Sequence, residues 1–337
     1  MTSTHIDVGA IDFGALGAWM DAQGLPGGPI TGVSPVIGGT QNVMVRLERG
    51  GRSYVLRRPP LHARSRSNEV LRREARVLAA LRGTRVPAPA LVAAQTEREP
   101  VFYLMEPVDG FNPSTGLPEP HASDPAIRHR MGLEAAAALA ELGRVDPGVL
   151  PGFGRPEGFL ERQVPRWLKE LDSYGDLDGY PGPDIPGLRE TADWLSRRLP
   201  RSYTPGIMHG DYHFANLMFA WDGPRVAAIV DWEMCTVGDP LLDLGWLLAT
   251  WPSGNGHVPG LPSPQELVSY YAALSERDLS AVDWYAVMAC FKLGIVLEGT
   301  HARAFAGKAP KDTGDLLHAM TLGLFERARE FMEGALD

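Results

Sequence analysis

The chain carries His209-Gly210-Asp211-Tyr212-His213-Phe214-Ala215-Asn216 and, a little further on, Val230-Asp231-Trp232-Glu233. The pattern H-x-D-x-x-x-x-N sets a carboxylate and an amide on one irregular loop. The carboxylate can take a proton from a hydroxyl nucleophile, and the amide oxygen can ligate a hard cation. Asp231 follows Asn216 by 15 residues, at the end of the apolar run Val226-Ala227-Ala228-Ile229-Val230. A hairpin of that length can return a second carboxylate to the same place. Two oxygen ligands from adjacent turns, with phosphate and water completing the shell, is a common way to hold Mg²⁺. Two other readings stay open at this point. Asp211 and Asn216 can make ordinary Asx turns around a core histidine. Alternatively His209, Asp211 and His213 can form a transition-metal cluster of a metallohydrolase.

Around the motif the second half of the chain has helical periodicity over 124–142, 159–171, 187–199, 264–275, 284–305 and 315–334, interrupted by two short β-like runs at 206–210 and 226–232. The first half reads differently. A short helix is expected over 13–22, then a hairpin of 36–48 and 52–58 turning at Arg49-Gly50-Gly51, because glycine pairs suit tight hairpin turns. An amphipathic helix over 68–82 places Leu71, Ala75, Leu78 and Leu81 on one side. Strands at 90–95 and 100–105 follow. The expected fold is therefore α+β: a helical extension (1–30), a β-rich lobe with one key helix (31–106), a linker (107–120) and a helical lobe (121–337).

Composition narrows the function. The length of 337 residues with 44% hydrophobic content suits two domains or lobes with a real core. A net charge of −9 argues against nucleic acid as the partner. No long apolar run indicates a membrane span, the start has no signal-peptide pattern, and two cysteines are too few for a disulfide scaffold. A soluble, cytoplasmic protein, monomeric or homodimeric, is expected. The charge is uneven: residues 1–108 hold 13 Arg, no Lys and 9 acids, whereas the remainder is strongly acidic.

HGDYHFANLMF with IVDWEMCTVGDPLLDLGWLL resembles the aminoglycoside phosphotransferase and choline-kinase-like group, over roughly residues 30–305. The resemblance implies a bilobal protein-kinase-like fold and a small-molecule kinase, with MgATP bound between the lobes and a hydroxyl acceptor. It further implies that Asp211 is the catalytic base, that Asn216 and Asp231 are catalytic metal ligands, and that Asp243 braces the loop.

Such a site needs a cation for the phosphates, normally a lysine on the third strand. The first lysine in the chain is Lys169, and Tyr54-Val55-Leu56-Arg57 stands where V-A-I-K would. Alternation puts Val55 and Arg57 on one face, toward the adenine and the phosphates, and turns Arg58 away. Glu74, between Leu71 and Leu78 on the apolar stripe, needs a partner, and Arg57 is the expected one. Gly38, Gly39, Thr40 and Asn42 lie where a phosphate-covering loop belongs. Met105, Glu106 and Val108 take the hinge position, with Met105 packed on adenine and the backbones of Glu106 and Val108 pairing with it. The arginine also gives weight to a catalytically weak pseudokinase or nucleotide-binding module. Features such as VLRRPP, the GGTQN loop and the 284–303 helix resemble the phosphotransferase modules related to those fused to some acyl-CoA dehydrogenases. That resemblance makes a hydroxylated acyl thioester a candidate acceptor beside aminoglycosides, macrolides, choline and homoserine. Trp284, Phe291, Lys292, His301 and Arg303 are candidate acceptor-site residues.

Overall fold

The computed structural model describes residues 11–36, 42–60, 66–252 and 258–336. These divide into two compact units: the described residues through Phe111 together with Ala227–Glu233, and the remainder, Asn112–Val226 with Met234 onward.

The first unit is a five-stranded antiparallel sheet with two helices. Its strands are β1 (Thr31–Pro35), β2 (Val43–Arg49), β3 (Arg52–Arg58), β4 (Leu91–Gln95) and β5 (Phe102–Met105), in spatial order β1-β2-β3-β5-β4. β2 and β3 close through Gly50 and Gly51, both at positive φ (56° and 74°), which only glycine adopts cheaply in a two-residue turn. Helix α1 (Phe13–Ala22) starts where the Asp12 carboxylate accepts from the Ala15 amide, one of the otherwise orphan donors of a helix N-terminus. It buries Leu16 and Met20 against Val45, Leu47, Tyr54, Leu56 and Leu104. An ion pair of 2.7 Å between Arg49 and Asp21 ties the hairpin to it. The segment read from sequence as an extension is thus part of this unit's core. Tyr54 and Leu56 face α1, so strand alternation leaves Val55 and Arg57 for the opposite face.

On that opposite face lies α2 (Ser67–Leu81), which buries Leu71, Glu74, Ala75, Val77, Leu78 and Leu81. The short stretch Ala227–Glu233 also belongs to this unit, rather than to the helical lobe of residues 121–337 expected from sequence. The Ile229 amide donates to the Pro87 carbonyl at 2.8 Å and so joins it to the turn before β4.

The second unit is built from seven helices among the described residues: α3 (Pro125–Gly143), α4 (Gln163–Ser173), α5 (Leu188–Arg197), α6 (Leu241–Thr250), α7 (Pro264–Leu274), α8 (Val282–Phe305) and α9 (Lys311–Met332). Strand β6 (Gly206–Met208) pairs antiparallel with β9 (Thr236–Gly238). β7 (Leu217–Phe219) also lies in this unit, whereas β8 (Val226–Ile229), all but its first residue, belongs to the first. α6 is not visible as amphipathic periodicity, because it is buried on all sides. A Cβ at Gly245 would stand 2.2 Å from the Tyr285 carbonyl, so glycine lets α6 lie against the backbone of α8. Among the described residues no helix is long and apolar enough to cross a membrane.

Candidate active site

The Asp211 loop leaves β6 and is fixed mainly through its backbone. Asp243, near the start of α6, accepts the His209 amide at 2.6 Å and the Gly210 amide at 2.9 Å. Burial pushes the Asp243 carboxyl up to about 7, against the pull of these two amides. Gly210 has φ 88°, and a Cβ there would meet the Met234 carbonyl at 2.4 Å, so the turn requires glycine. The Tyr212 hydroxyl donates to Ala135 in α3, and the Asn112 amide to the Ala215 carbonyl. Phe214 packs on Phe219 and Trp251. Asp239, at the other end of the β6–β9 pair, accepts from the Leu241 amide and the Tyr285 hydroxyl and so ties the start of α6 to α8.

This clamp presents the Asp211 carboxylate in a defined pose. Trp246 Nε1 donates to Oδ1 at 3.0 Å, and Asn216 Nδ2 donates to Oδ2 at 3.1 Å and to the Asp211 carbonyl at 2.9 Å. His213 Nε2 lies 3.4 Å from Oδ2. Burial works to raise this carboxyl, but the hydrogen bond and charge of His213, with His209 and Lys292 nearby, more than offset it and hold it below the usual Asp range. Beneath the loop, Lys292 donates to the Gly210 carbonyl at 3.3 Å and lies 4.3 Å over the Trp246 ring. Burial lowers its pKa, while Asp243 and Asp211 oppose that shift.

Asp211 opens onto a cavity of about 490 Å³ within this unit, lined by residues including Leu117, Met131, Phe214, Trp246, Leu261 and Leu293. Of the helix suggested for the acceptor, Leu293 lines the cavity, whereas Trp284 and Phe291 are buried core. His301 and Arg303 face other partners on α8 and α9.

The first unit carries a second polar cluster. Arg57 Nη2 pairs with Glu74 Oε1 at 2.8 Å and lies 3.5 Å from Asp231 Oδ1. Tyr103 donates to the other Glu74 oxygen at 3.4 Å. Burial disfavours the Arg57 charge, but Tyr103, Glu74, Asp231 and Glu233 more than restore it. Burial likewise pushes the Glu74 carboxyl up to about 7, with Arg57 pulling it down. Arg58 donates instead to the Pro59 carbonyl. Asp231 is the one non-glycine among the described residues with positive φ, 67°, a backbone state that is costly and is found where a side chain must be aimed.

Val55 and Met105 are direct partners across β3 and β5. The Glu106 amide is committed to the Ala90 carbonyl at 2.9 Å, so a nucleobase there would meet the Glu106 carbonyl. Val108 is half-buried just beyond, and Asn42 half-buried before β2, while Gly38, Gly39 and Thr40 lie outside the described residues. The proposed metallohydrolase set does not converge. The His209 Nδ1 accepts the Asp211 amide, and among the described residues the one triad of ligand atoms close enough for a metal is elsewhere.

Two contributors were not foreseen: Trp246 and the position of Lys292 under the loop. Trp246 follows Asp243 by one helical turn, so recognising α6 would have placed both on the face turned to the loop.

Comparison with known proteins identifies the family. Residues 32–285 match the phosphotransferase enzyme family. Acyl-CoA dehydrogenase family member 11 of Gallus gallus is 30% identical over 318 residues, covering 87% of this chain and 39% of that protein. The Homo sapiens protein of that name is 29% identical, covering 80% and 36%. The chain therefore spans less than half the length of these curated relatives. The crystal structure of a candidate aminoglycoside phosphotransferase from Ralstonia eutropha superposes with TM-score 0.80 at 28% identity, covering 96% of this chain and 98% of that one. A macrolide 2'-phosphotransferase from Brachybacterium faecium shares the fold, with TM-score 0.61 at 20% identity over 91% of this chain and 97% of that one.

Proposed function

Since the chain belongs to the phosphotransferase enzyme family, we propose that it moves the γ-phosphoryl group of MgATP to a hydroxyl of a small molecule. The observation that carries this reading is Asp211, an ionised carboxylate held by Trp246 and Asn216 at the edge of a cavity large enough for an acceptor.

The residues fit the implied groups. Arg57 Nε is a buried donor with no hydrogen-bond partner, and the buried Asp231 Oδ1 accepts no hydrogen bond, having only the long ion pair with Arg57 Nη2 at 3.5 Å. The Asn216 amide nitrogen is taken by Asp211, which leaves its oxygen as the ligating atom. Asn216 and Asp231 are the proposed Mg²⁺ ligands, and Arg57 the phosphate-directed cation. Val55, Met105, Glu106 and Val108 are proposed for the adenine, with Asn42 near the phosphates. When bound, MgATP supplies the phosphoryl group and the cation that neutralises its charge. Asp211 orients the acceptor hydroxyl and takes its proton. The protein's contribution is mostly positioning and charge, since phosphoryl transfer asks for little covalent chemistry.

The cavity also bears on the acceptor. Among its described lining residues Asp211 is the one carboxylate, and the Arg128 guanidinium is spent on the carbonyls of His121, Ala122 and Pro259. A polycationic aminoglycoside would find no row of acids there. Choline and homoserine would leave most of the volume empty. A hydroxyl on an apolar body fits better, which favours a hydroxylated acyl thioester, in keeping with the curated relatives. The test is ADP release against a panel of hydroxyacyl thioesters, macrolides, aminoglycosides and choline, with Asp211→Ala as control. Hydroxyacyl thioesters should give the highest kcat/KM. Preference for an aminoglycoside would overturn the acceptor assignment, and ATP binding without any transfer would favour the pseudokinase.

A further inference from the structure

A second cluster of ligating side chains, unused by phosphotransfer, sits on the α8–α9 hairpin. α8 carries Glu298-Gly299-Thr300-His301, and α9 carries Asp315-Leu316-Leu317-His318. In each, a carboxylate precedes a histidine by three residues, which puts both on one helix face. The same carboxylate-x-x-His spacing on facing helices builds metal centres in helical bundles. Glycine brings these faces together. A Cβ at Gly314 would lie 2.6 Å from the Ala304 Cβ and 3.3 Å from the His301 Cα, and one at Gly294 would lie 2.7 Å from the Phe325 ring.

The side chains converge. Glu298 is fully buried, with Oε2 2.7 Å from His318 Nδ1 and Oε1 accepting from the Tyr180 hydroxyl at 2.7 Å. The imidazoles of His301 and His318 stack at 4.4 Å. His301 Nδ1 is buried without a hydrogen-bond partner, 3.8 Å from Asp315 Oδ1, while Lys311 holds the other Asp315 oxygen. One ligand atom each from Glu298, His301 and His318 falls within 4.8 Å of the other two. Bonds of about 2.0–2.2 Å to one ion separate neighbouring ligand atoms by about 3–4 Å, so small side-chain rotations suffice.

We propose that Glu298, His301 and His318 bind one divalent transition-metal ion of the zinc class and so pin α8 to α9. Two imidazoles and one carboxylate select such an ion over Mg²⁺, which prefers an all-oxygen shell. Tyr180 orients the ligating carboxylate from behind, as outer-shell partners do. His301 and His318 are 14% and 22% exposed, which gives the ion a way in from solvent. The site is independent of the phosphotransfer reading.

The experiment is titration of metal-stripped protein with Zn²⁺ by calorimetry and with Co²⁺ by visible absorption, alongside thermal unfolding. Wild type should take up one Zn²⁺, show a Co²⁺ band displaced by Zn²⁺ but not by Mg²⁺, and unfold several degrees higher with Zn²⁺. His301→Gln and His318→Gln should each weaken Zn²⁺ binding by about tenfold or more. His301→Gln removes a nitrogen that makes no hydrogen bond, so it tests the site even if His318→Gln fails to fold. Absence of saturable Zn²⁺ and Co²⁺ uptake by wild type, or uptake unchanged in His301→Gln, would overturn the assignment.

Discussion

Arg57 in the first unit and Asp211 in the second are held in opposite ways. Arg57 is placed by other side chains, those of Glu74 on a helix and Asp231 on an inserted segment, with Tyr103 on a strand holding Glu74. Asp211 rides on a loop whose backbone amides are gripped by Asp243 and whose flanks are tied down by Tyr212 and Asn112. A side-chain pair can be broken by one substitution and is open to titration. A backbone clamp survives most changes at the residue it presents. The first arrangement suits a group that must meet a charged ligand, the second a group whose position alone matters.

That contrast can be broken most severely at Asp211. Asp211→Ala should lower turnover on the order of a thousandfold while leaving nucleotide affinity within a few-fold, as steady-state rates and nucleotide titrations will show. The clamp should also keep the loop in place, with only a small drop in thermal midpoint from the Trp246 and Asn216 donors left without the carboxylate. At Arg57 the loss should be smaller but should spread. Arg57→Ala should cost about a hundredfold in kcat/KM and also strand the buried Glu74, lowering stability. Arg57→Lys should recover only part of the rate, since a point charge does not reproduce the guanidinium fork. Arg57→Ala and Glu74→Ala should be strongly non-additive in a double-mutant cycle, and Arg58→Ala close to neutral. Additive losses would dissolve the pair.

Trp246→Phe sharpens the contrast from the other side. It keeps an aromatic face for Lys292 but removes the donor to Asp211 Oδ1. The expected loss is about tenfold in kcat, the scale of one hydrogen bond to a charged group, with little change in KM. The smallest effect is with pH. Glu74 is pushed up to about 7 by burial, so the folded chain binds its proton more tightly than the unfolded chain does. Its contribution to stability is therefore full at acidic pH and lost as pH rises through about 7. The ion pair with Arg57 needs the carboxylate, so kcat/KM should rise a few-fold over that same interval. Thermal midpoints and rates measured across it should slope in opposite directions, and Glu74→Gln should flatten both. The midpoint slope will flatten only in part, because burial also brings Asp243 up to about 7.

Much of this was legible without coordinates because it followed from short-range periodicity. Alternation along β3 separates Arg57 from Arg58, and the stripe of α2 turns Glu74 inward. The glycine pair at 50–51 fixes a hairpin, and the Asp243 brace follows from resemblance. What escaped is long-range. α6 has no polar face to betray its period, so Trp246 could not be aimed. β1 (TGVSP) and β9 (TVG) each hold a single valine among polar or turn-forming residues, so no apolar run stands out. That Ala227–Glu233 joins the β-rich unit depends on Pro87, far away in sequence, and no local signal announces it. The positive φ of Asp231 is equally silent, because aspartate tolerates that conformation without requiring it.

Lys292 is a counterion that the chain carries inside itself. Its ammonium is walled off between the indoles of Trp246 and Trp167 and anchored on the Gly210 carbonyl. Being largely buried, it is screened by dissolved ions less than a surface charge would be, so the potential it casts on Asp211 decays less with added salt. The share of the pull on the Asp211 carboxyl that comes from Lys292 should therefore vary little with the medium, whereas the larger share from the more exposed His213 should weaken as salt is added.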